Sequence, residues 1–420
     1  MFDLLFELAG MIVMLAWIAL AASPWLGRAK PIVRMVTGAV VPGALALAYV
    51  ALVAMSWPAA GGGYGSLDDV STLFGHRGML TAGWYHYLAF DLFVGTWLAR
   101  RAERDGIAPL WMIPCHALTF LFGPAGLVAY GLLYAAKPVR ALVRELERRH
   151  GPLARFGLIL FAALAASLAM AAIDARTLGG VGVWVKPMKF MASVALYAWT
   201  TAWLIGELPS GFRASPAVRR LARTIILVGA AEVAYITLQA ALGQPSHFND
   251  STPFHSAMYV LMGVGALTLT ACSLPLAWMI GRHAEDMAPA YRLGAVLGLV
   301  LTFVFGAGAG VAISMNGGPT IGAMAGGAVV PVFGWSLAGG DLRVAHFLGI
   351  HAQQVLPAAG MLASMAAARA SGPVLAVAGT GMVARHATTG IAAVWLVALA
   401  YASLTVLAAA QAVAGRPLLG

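Results

Sequence analysis

An aspartate inside an apolar run is the residue that most needs a physical account. Asp91 lies in the stretch Trp84 to Ala99, five residues after His86 and twenty-five before His116. Taking an ionised carboxylate out of water into a bilayer centre costs about 3 kcal/mol on insertion scales, so such a group needs a partner and usually has a task. Asp91 and His116 are suitable types for a general base and a general acid. The run ends at Ala99, eight residues past Asp91, and the next starts after Ala108, eight before His116. A tight antiparallel hairpin through Arg100 to Ile107 would put both side chains about 12 Å from the turn at 1.5 Å per residue, able to pair. His86 is rotated about 140° from Asp91 on a helix, whereas Tyr87 and Asp91 share a face at i and i+4. His86 is read either as a third catalytic group or, with Trp84 and Tyr85, as part of an interfacial aromatic belt. The bland alternative for Asp91 is a helix-packing residue bonded to Tyr87. Gly123, Pro124 and Gly126 predict a kink that opens a substrate crevice, or a small-residue packing notch. Trp84, Tyr87, Gly123 and Pro124 are assigned as substrate-binding residues on the first reading.

A second polar cluster collects in the C-terminal two thirds, where three connections on one side hold Trp184, Lys186 and Lys189; Ser246, His247, Asn249, Asp250 and His255; and Asn316, Trp335 and Asp341. His346 and His351 open the following run, with Gln353 and Gln354 behind them. Neutral imidazole is a common metal ligand, so His255, His346 and His351 are candidates for a metal or haem site. Their spacing is unspecific, and histidines that hydrogen-bond helix ends and loops fit equally. Glu232, near the centre of its run, is read as a proton relay or, in preference, a hydrogen bond to another helix. Asp174, followed by Arg176 at a span end, is read as interfacial.

These residues must be positioned by a membrane protein. Of the 420 residues 61% are hydrophobic and 10% charged, with a mean hydropathy of +0.84, too few charges to cover soluble domains. About eleven apolar runs follow one another: 4–22, 36–55, 84–99, 109–135, 156–173, 188–206, 224–242, 254–280, 293–315, 344–367 and 391–413. The expected fold is all-α and polytopic, since barrel strands would alternate in polarity. A four-span unit (1–136), a basic amphipathic linker (137–155) and a seven-span unit (156–420) are the predicted domains. The Gly-rich stretch 317–340 reads as loop. The net charge of +10 sits in short connections, where it orients helices against anionic lipid. Nucleic-acid binding is excluded because no polar domain offers a basic face. Neither Cys115 nor Cys272 suggests a disulfide. Membrane lipids and a hydrophobic small molecule are the expected partners, and the Ala and Gly content permits a homo-oligomer.

Orientation follows from Lys and Arg. In the second unit fourteen basic residues, including Arg385, fall on one side and five on the other. Carried back through four crossings, the same orientation puts Arg28, Lys30, Arg34, Arg100, Arg101 and Arg104 on the wrong side. A broken or re-entrant helix in the fourth run, at Pro114 or at Gly123 and Pro124, would account for the conflict.

The segment GWYHYLAFDLFVGTWLARRAERDGIAPLWMIPCHALTFLFGPAGLVAYGLL resembles the signature of the family that includes the plant abscisic-acid-deficient-4 protein. The specific pieces are Trp84 with His86, Tyr87 and Asp91, then Gly95, then Phe122, Gly123, Pro124 and Gly126. The resemblance covers about residues 1 to 135 and implies a four-span domain with a carotenoid or isoprenoid substrate, the plant member being associated with neoxanthin synthesis. Two function classes stand open: an enzyme isomerising such a lipid by acid–base chemistry, and a non-catalytic transporter or a metal- or haem-binding redox or sensory module. Either would sit in a membrane as a multi-pass protein, the cytoplasmic (inner) membrane for a bacterial chain.

Overall fold

The computed structural model describes residues 1–323, 327–330, 333–371 and 380–417. Parts of the Gly-rich stretch 317–340, and the side chain of Arg385, lie outside the described residues. The chain divides into two compact units, Met1–Leu142 and Val143–Gly420. Almost all of it is helix, as the lack of polar alternation requires. Among the described residues, seven helical stretches are long and apolar enough to cross a bilayer: Phe2–Trp25, Gly27–Ala60, Pro124–Ile173, Pro216–Ala241, Pro253–His283, Pro289–Met315 and Thr388–Val413. The expected eleven is therefore not reached by that measure. Runs 84–99, 188–206 and 344–367 lie in long helices whose polar residues dilute the apolar stretch, and run 109–135 is broken.

In the first unit, α1 is Phe2–Ala22, α2 is Lys30–Met35, α3 is Val41–Ala60 and α4 is Leu67–Gly75, with a π-helical turn at Val36–Val40 leading into α3. Helix α5, Arg77–Arg104, is the axis against which α1 and α3 pack, with Val13, Trp17 and Leu20 of α1 and Leu45 and Leu52 of α3 against Ala82, Leu88 and Leu92. Two short helices follow, α6 (Pro109–Phe122) and α7 (Pro124–Ala135). Between them Gly123 adopts φ +51° and ψ −98°, a conformation that L side chains avoid. Pro124 takes up the first position of α7, where no N–H is needed.

The two short helices fold back on each other. A methyl group placed on Gly126 would lie 2.7 Å from the Cys115 carbonyl and would overlap Thr119. Eleven residues of straight helix would separate Cys115 from Gly126 by ~16 Å. Farther along α7, the Tyr130 hydroxyl donates to Asp105, which precedes α6, and Tyr130 packs with Ile107 and Met112. Run 109–135 thus enters and leaves at one end of the unit. The same end carries the pairs of Lys30 and Arg34 with Glu103, of Arg101 with Asp105 (3.1 Å) and of Lys137 with Asp105 (3.6 Å). The opposite end holds the Arg77–Asp3 pair. With the fourth run folded back, the basic residues of the first unit gather at the end where the linker begins, and the conflict in the charge count disappears.

Asp105 ties the hairpin to α5. Tyr130, together with Arg101 and Lys137, holds its carboxyl below the ordinary carboxylate range. A depressed folded value means stability that is present above the unfolded value near 3.9 and is lost as pH falls through the folded one. Thermal melts from pH 5 to pH 3 are expected to show progressive weakening that Asp105→Asn flattens. Parallel curves for the two proteins would count against this anchor.

In the second unit, α8 (Lys137–Ile173, begun in the first) breaks its helical course at His150, φ −157° and ψ 90°, separating the amphipathic linker from the apolar stretch. Helices α9 (Val185–Ile205), α10 (Ser210–Arg213), α11 (Pro216–Ala241), α12 (Pro253–Ala271) and α13 (Ser273–His283) follow. Then come α14 (Pro289–Leu301), a π-helical turn at Thr302–Ala307, α15 (Gly308–Met315), α16 (Leu342–Ser371) and α17 (Thr380–Val413). Leu153, Ala195, Ile205, Ile225, Ile280 and Leu299 form the centre of its core. Helix α14 and its π-turn approach α16 at backbone distance: a methyl group on Gly298 would lie 2.7 Å from the Ala352 carbonyl, and one on Gly349 would lie 2.5 Å from the Gly306 nitrogen. Small residues allow this proximity, which suits helices packing without water. Two-residue ladders, Thr177–Leu178 with Val181–Gly182 and Thr320–Ile321 with Gly340–Asp341, are the strands among the described residues.

Candidate functional site

The hairpin register decides which groups meet. Helix α5 continues to Arg104, five residues beyond the apolar run, so Asp91 lies 13 residues from its end (104 − 91). His116 lies 7 residues into α6 (116 − 109), and Gly123 lies 14 (123 − 109). At 1.5 Å per residue Asp91 and Gly123 are both about 20 Å from the turn, and His116 only about 10 Å. The expected Asp91–His116 pair is accordingly not made. His116 reaches the level of Gly95, where its ring packs edge-on to Trp17 at 6.0 Å and its Nε2 has no partner. Gly95 is required there because Trp17 fills the space of any side chain. The error lay in stopping the helix where apolarity stops, although Arg100 to Arg104 continue it as a polar extension.

Asp91 instead faces the tip of the hairpin. A methyl group on Gly123 would stand 3.1 Å from Asp91 Oδ1, while Oδ2 is shielded from solvent and unpartnered. The first N–H groups of α7 have no partners within their own helix, which makes this tip favourable to negative charge. Pro124 has no N–H to offer the Phe120 carbonyl one turn back. Tyr87 donates its hydroxyl to that freed carbonyl at 3.2 Å. Tyr87 lies one turn from Asp91 on the same face of α5, its hydroxyl close enough to interact with the carboxyl. A carboxyl with an uncommitted oxygen and a phenol beside it can exchange a proton with a third molecule.

Tyr87 also lines an open cleft of about 440 Å³ between α1, α4 and α5, with Phe2, Phe6, Phe74, Leu80 and Trp84 as its apolar walls. Trp84 stacks on Tyr87 at 5.3 Å and meets Phe6 at 5.3 Å. Arg77 and Asp3 lie at its rim. Pro124 is exposed at the hairpin tip, and His86 is exposed, stacked on Phe90 at 4.6 Å and set against Tyr49 at 5.6 Å. His86 belongs to the aromatic surface, not to the group around Asp91. Trp17, Phe120 and Asp105 escaped the sequence reading; the glycine at position 95, which needs a large partner, was the available signal for Trp17.

The comparison with known families falls on these same residues. Residues 4–130 match the family described as ABA DEFICIENT 4-like. No curated protein and no solved structure matches the chain. The ABA DEFICIENT 4-like match takes in the cleft, Tyr87, Asp91, the Gly123 tip and α7 as far as Tyr130, and none of the second unit.

The residues singled out in the second unit do not form one centre. His255 Nδ1 engages Ser251 (3.1 Å) and Thr252 (2.9 Å) at the start of α12, His346 Nδ1 meets the Gly306 carbonyl of the π-turn at 2.9 Å, and His351 Nδ1 meets Gln354 at 3.3 Å. Among the described residues no three His, Cys, Asp or Glu side chains are grouped to hold a metal ion. The histidines complete local backbone and side-chain bonding. Asn249 braces its loop by donating to the Pro245 carbonyl and accepting from Ser251, and Asp250 is exposed. Glu232 is buried, with its carboxyl against Gly265 of α12 and no hydrogen bond among the described residues, so the preferred interhelical bond is not present. Gln353 is buried with its Oε1 unpartnered. Asp174 pairs with Arg176 at 2.7 Å and accepts from the Trp184 indole at 2.8 Å, bonds that hold its carboxyl well below the usual range. In the loop before α12, burial and the nearby Lys186 push the His247 imidazole down to about 3, leaving it neutral.

Proposed function

We propose that the ABA DEFICIENT 4-like unit is a membrane enzyme that isomerises a hydrophobic isoprenoid, with Asp91 and Tyr87 as its proton-handling pair. One observation carries this reading: the folded-back hairpin brings Gly123 and the freed Phe120 carbonyl against Asp91 and Tyr87, beside an aromatic cleft of a size suited to one end ring of such a lipid. The substrate class comes from the family alone. Opening an epoxide to an allenic alcohol needs a proton delivered to oxygen as the C–O bond breaks and a proton removed from carbon, whose electron pair becomes the new double bond. No electrons are gained or lost, and one acid with one base suffices. Asp91 takes the carbon proton, and Tyr87 serves as the donor to oxygen. Expression in a carotenoid-producing host, followed by pigment analysis, tests the proposal. A pigment profile identical to that of empty-vector cells would remove this substrate class.

The basic end of the unit is assigned to the cytoplasm by its charge. In whole cells, a cysteine at Ser66 is expected to react with an impermeant maleimide and one at Arg104 to resist it until lysis; the native Cys115 and Cys272 are buried. The reverse pattern would invert the assignment.

A further inference from the structure

The second unit holds an ammonium group without a counter-ion. Lys186 is largely enclosed near the start of α9 and makes no ion pair or hydrogen bond among the described residues. Two acidic groups near that end are committed elsewhere, Asp174 to Arg176 and Trp184, and Asp341 to Arg343 and the Ser336 amide, while Asp250 of the His247 loop is exposed to solvent. The first turn of α9 contains no acidic residue, and among the described residues no ion pair offsets Lys186 or the positive end of the helix.

The surroundings add uncommitted polar atoms. Phe190, one turn after Lys186, packs against Tyr235 of α11 and lies 5.7 Å from the His247 ring, which in turn meets Tyr259 at 6.2 Å. Helices α9 and α11 run antiparallel, since Gly229 meets Val194 while Tyr235 meets Phe190. Gln239, one turn beyond Tyr235, therefore stands level with Lys186. The Tyr235 hydroxyl and Gln239 Oε1 are both buried and unpartnered, in side chains only 8% and 2% exposed. Phe248 beside His247 is the one non-glycine with positive φ (+53°) among the described residues, a backbone held against its preference.

We propose that Lys186, Tyr235 and His247 form a binding site for a carboxylate. A buried charge lacking a protein partner is stabilised when a ligand supplies one. One ammonium, one hydroxyl and one neutral imidazole match a singly charged anion, while a phosphate dianion would call for more cations. The site lies in the unit outside the family match and is independent of the chemistry assigned to Asp91.

Full-length protein in phosphatidylcholine nanodiscs is titrated with oleate, a membrane-borne carboxylate, and separately with acetate, a water-borne one, following the melting temperature. Saturable stabilisation by either probe that weakens at least tenfold in Lys186→Met and within threefold in Lys186→Arg is expected, and the active probe identifies the source. Without ligand, Lys186→Met is expected to melt about 3 °C higher, because an uncompensated charge has been removed. Should Lys186→Met not be monodisperse, Tyr235→Phe supplies the comparison, with threefold weaker binding expected. Failure of both probes to shift the native protein, or equal shifts in the native and variant proteins, overturns the site.

Discussion

On the proposed isomerase reading, replacing Asp91 with asparagine is expected to lower turnover by at least a hundredfold while leaving the melting temperature within a few degrees of the native protein. Asparagine keeps the size and the contact with Gly123 but cannot take up a proton, and general acid–base groups typically contribute 10²- to 10⁴-fold. His116→Asn is the informative control. Sequence spacing puts that imidazole opposite Asp91, whereas the hairpin register sets it about 10 Å nearer the turn, against Trp17. Its turnover should stay within about tenfold of native, an ordinary packing effect. Equal losses in the two variants, measured as product per amount of membrane-inserted protein, would return His116 to the chemistry. Tyr87→Phe should lose both activity and stability, since it also orphans the buried-side acceptor at Phe120, at a cost of ~1–3 kcal/mol.

Gly123→Val is expected to be the most destabilising single change in the first unit. A β-branched residue would have to adopt φ +51° and ψ −98°, costing about 2–3 kcal/mol, and its Cβ would stand 3.1 Å from Asp91 Oδ1. A melting point lower by roughly 5–10 °C in detergent follows, together with loss of turnover, as the tip backs away from α5. Gly123→Ala should fall between the two. A valine variant that melts with the native protein would mean that this residue does not form the sharp bend between α6 and α7.

How much could be read from the chain alone differs between its layers. Apolar composition establishes the helical class, and Pro124 with its flanking glycines marks the break in the fourth run, because both are local properties of the residues. Helix α5 was legible in position but not in length. Its last turn is polar, and a helix whose end leaves the apolar phase carries no hydropathy signal there. That short misreading propagated into the wrong partner for Asp91. Tyr87 shares a face with Asp91 by simple periodicity, but its bond to Phe120 depends on a carbonyl released by a proline thirty-seven residues away (124 − 87). Phe190, one turn after Lys186, and Tyr235 meet through a helix pairing that no spacing announces. The histidines of the second unit mislead in the opposite sense, since three imidazoles near one mouth suggested a shared ligand while each is satisfied by its own neighbourhood.

The fold-back at Gly123 also constrains the order of assembly. A tip with an unbonded carbonyl is poorly tolerated in lipid by itself, because nothing there replaces the missing N–H. Residues 109–135 can settle only after α5 has been inserted and Tyr87 is in place to receive Phe120. During synthesis this segment therefore waits at the membrane surface for a scaffold made earlier, and a ribosome-bound chain ending before the hairpin should already hold its first three long helices.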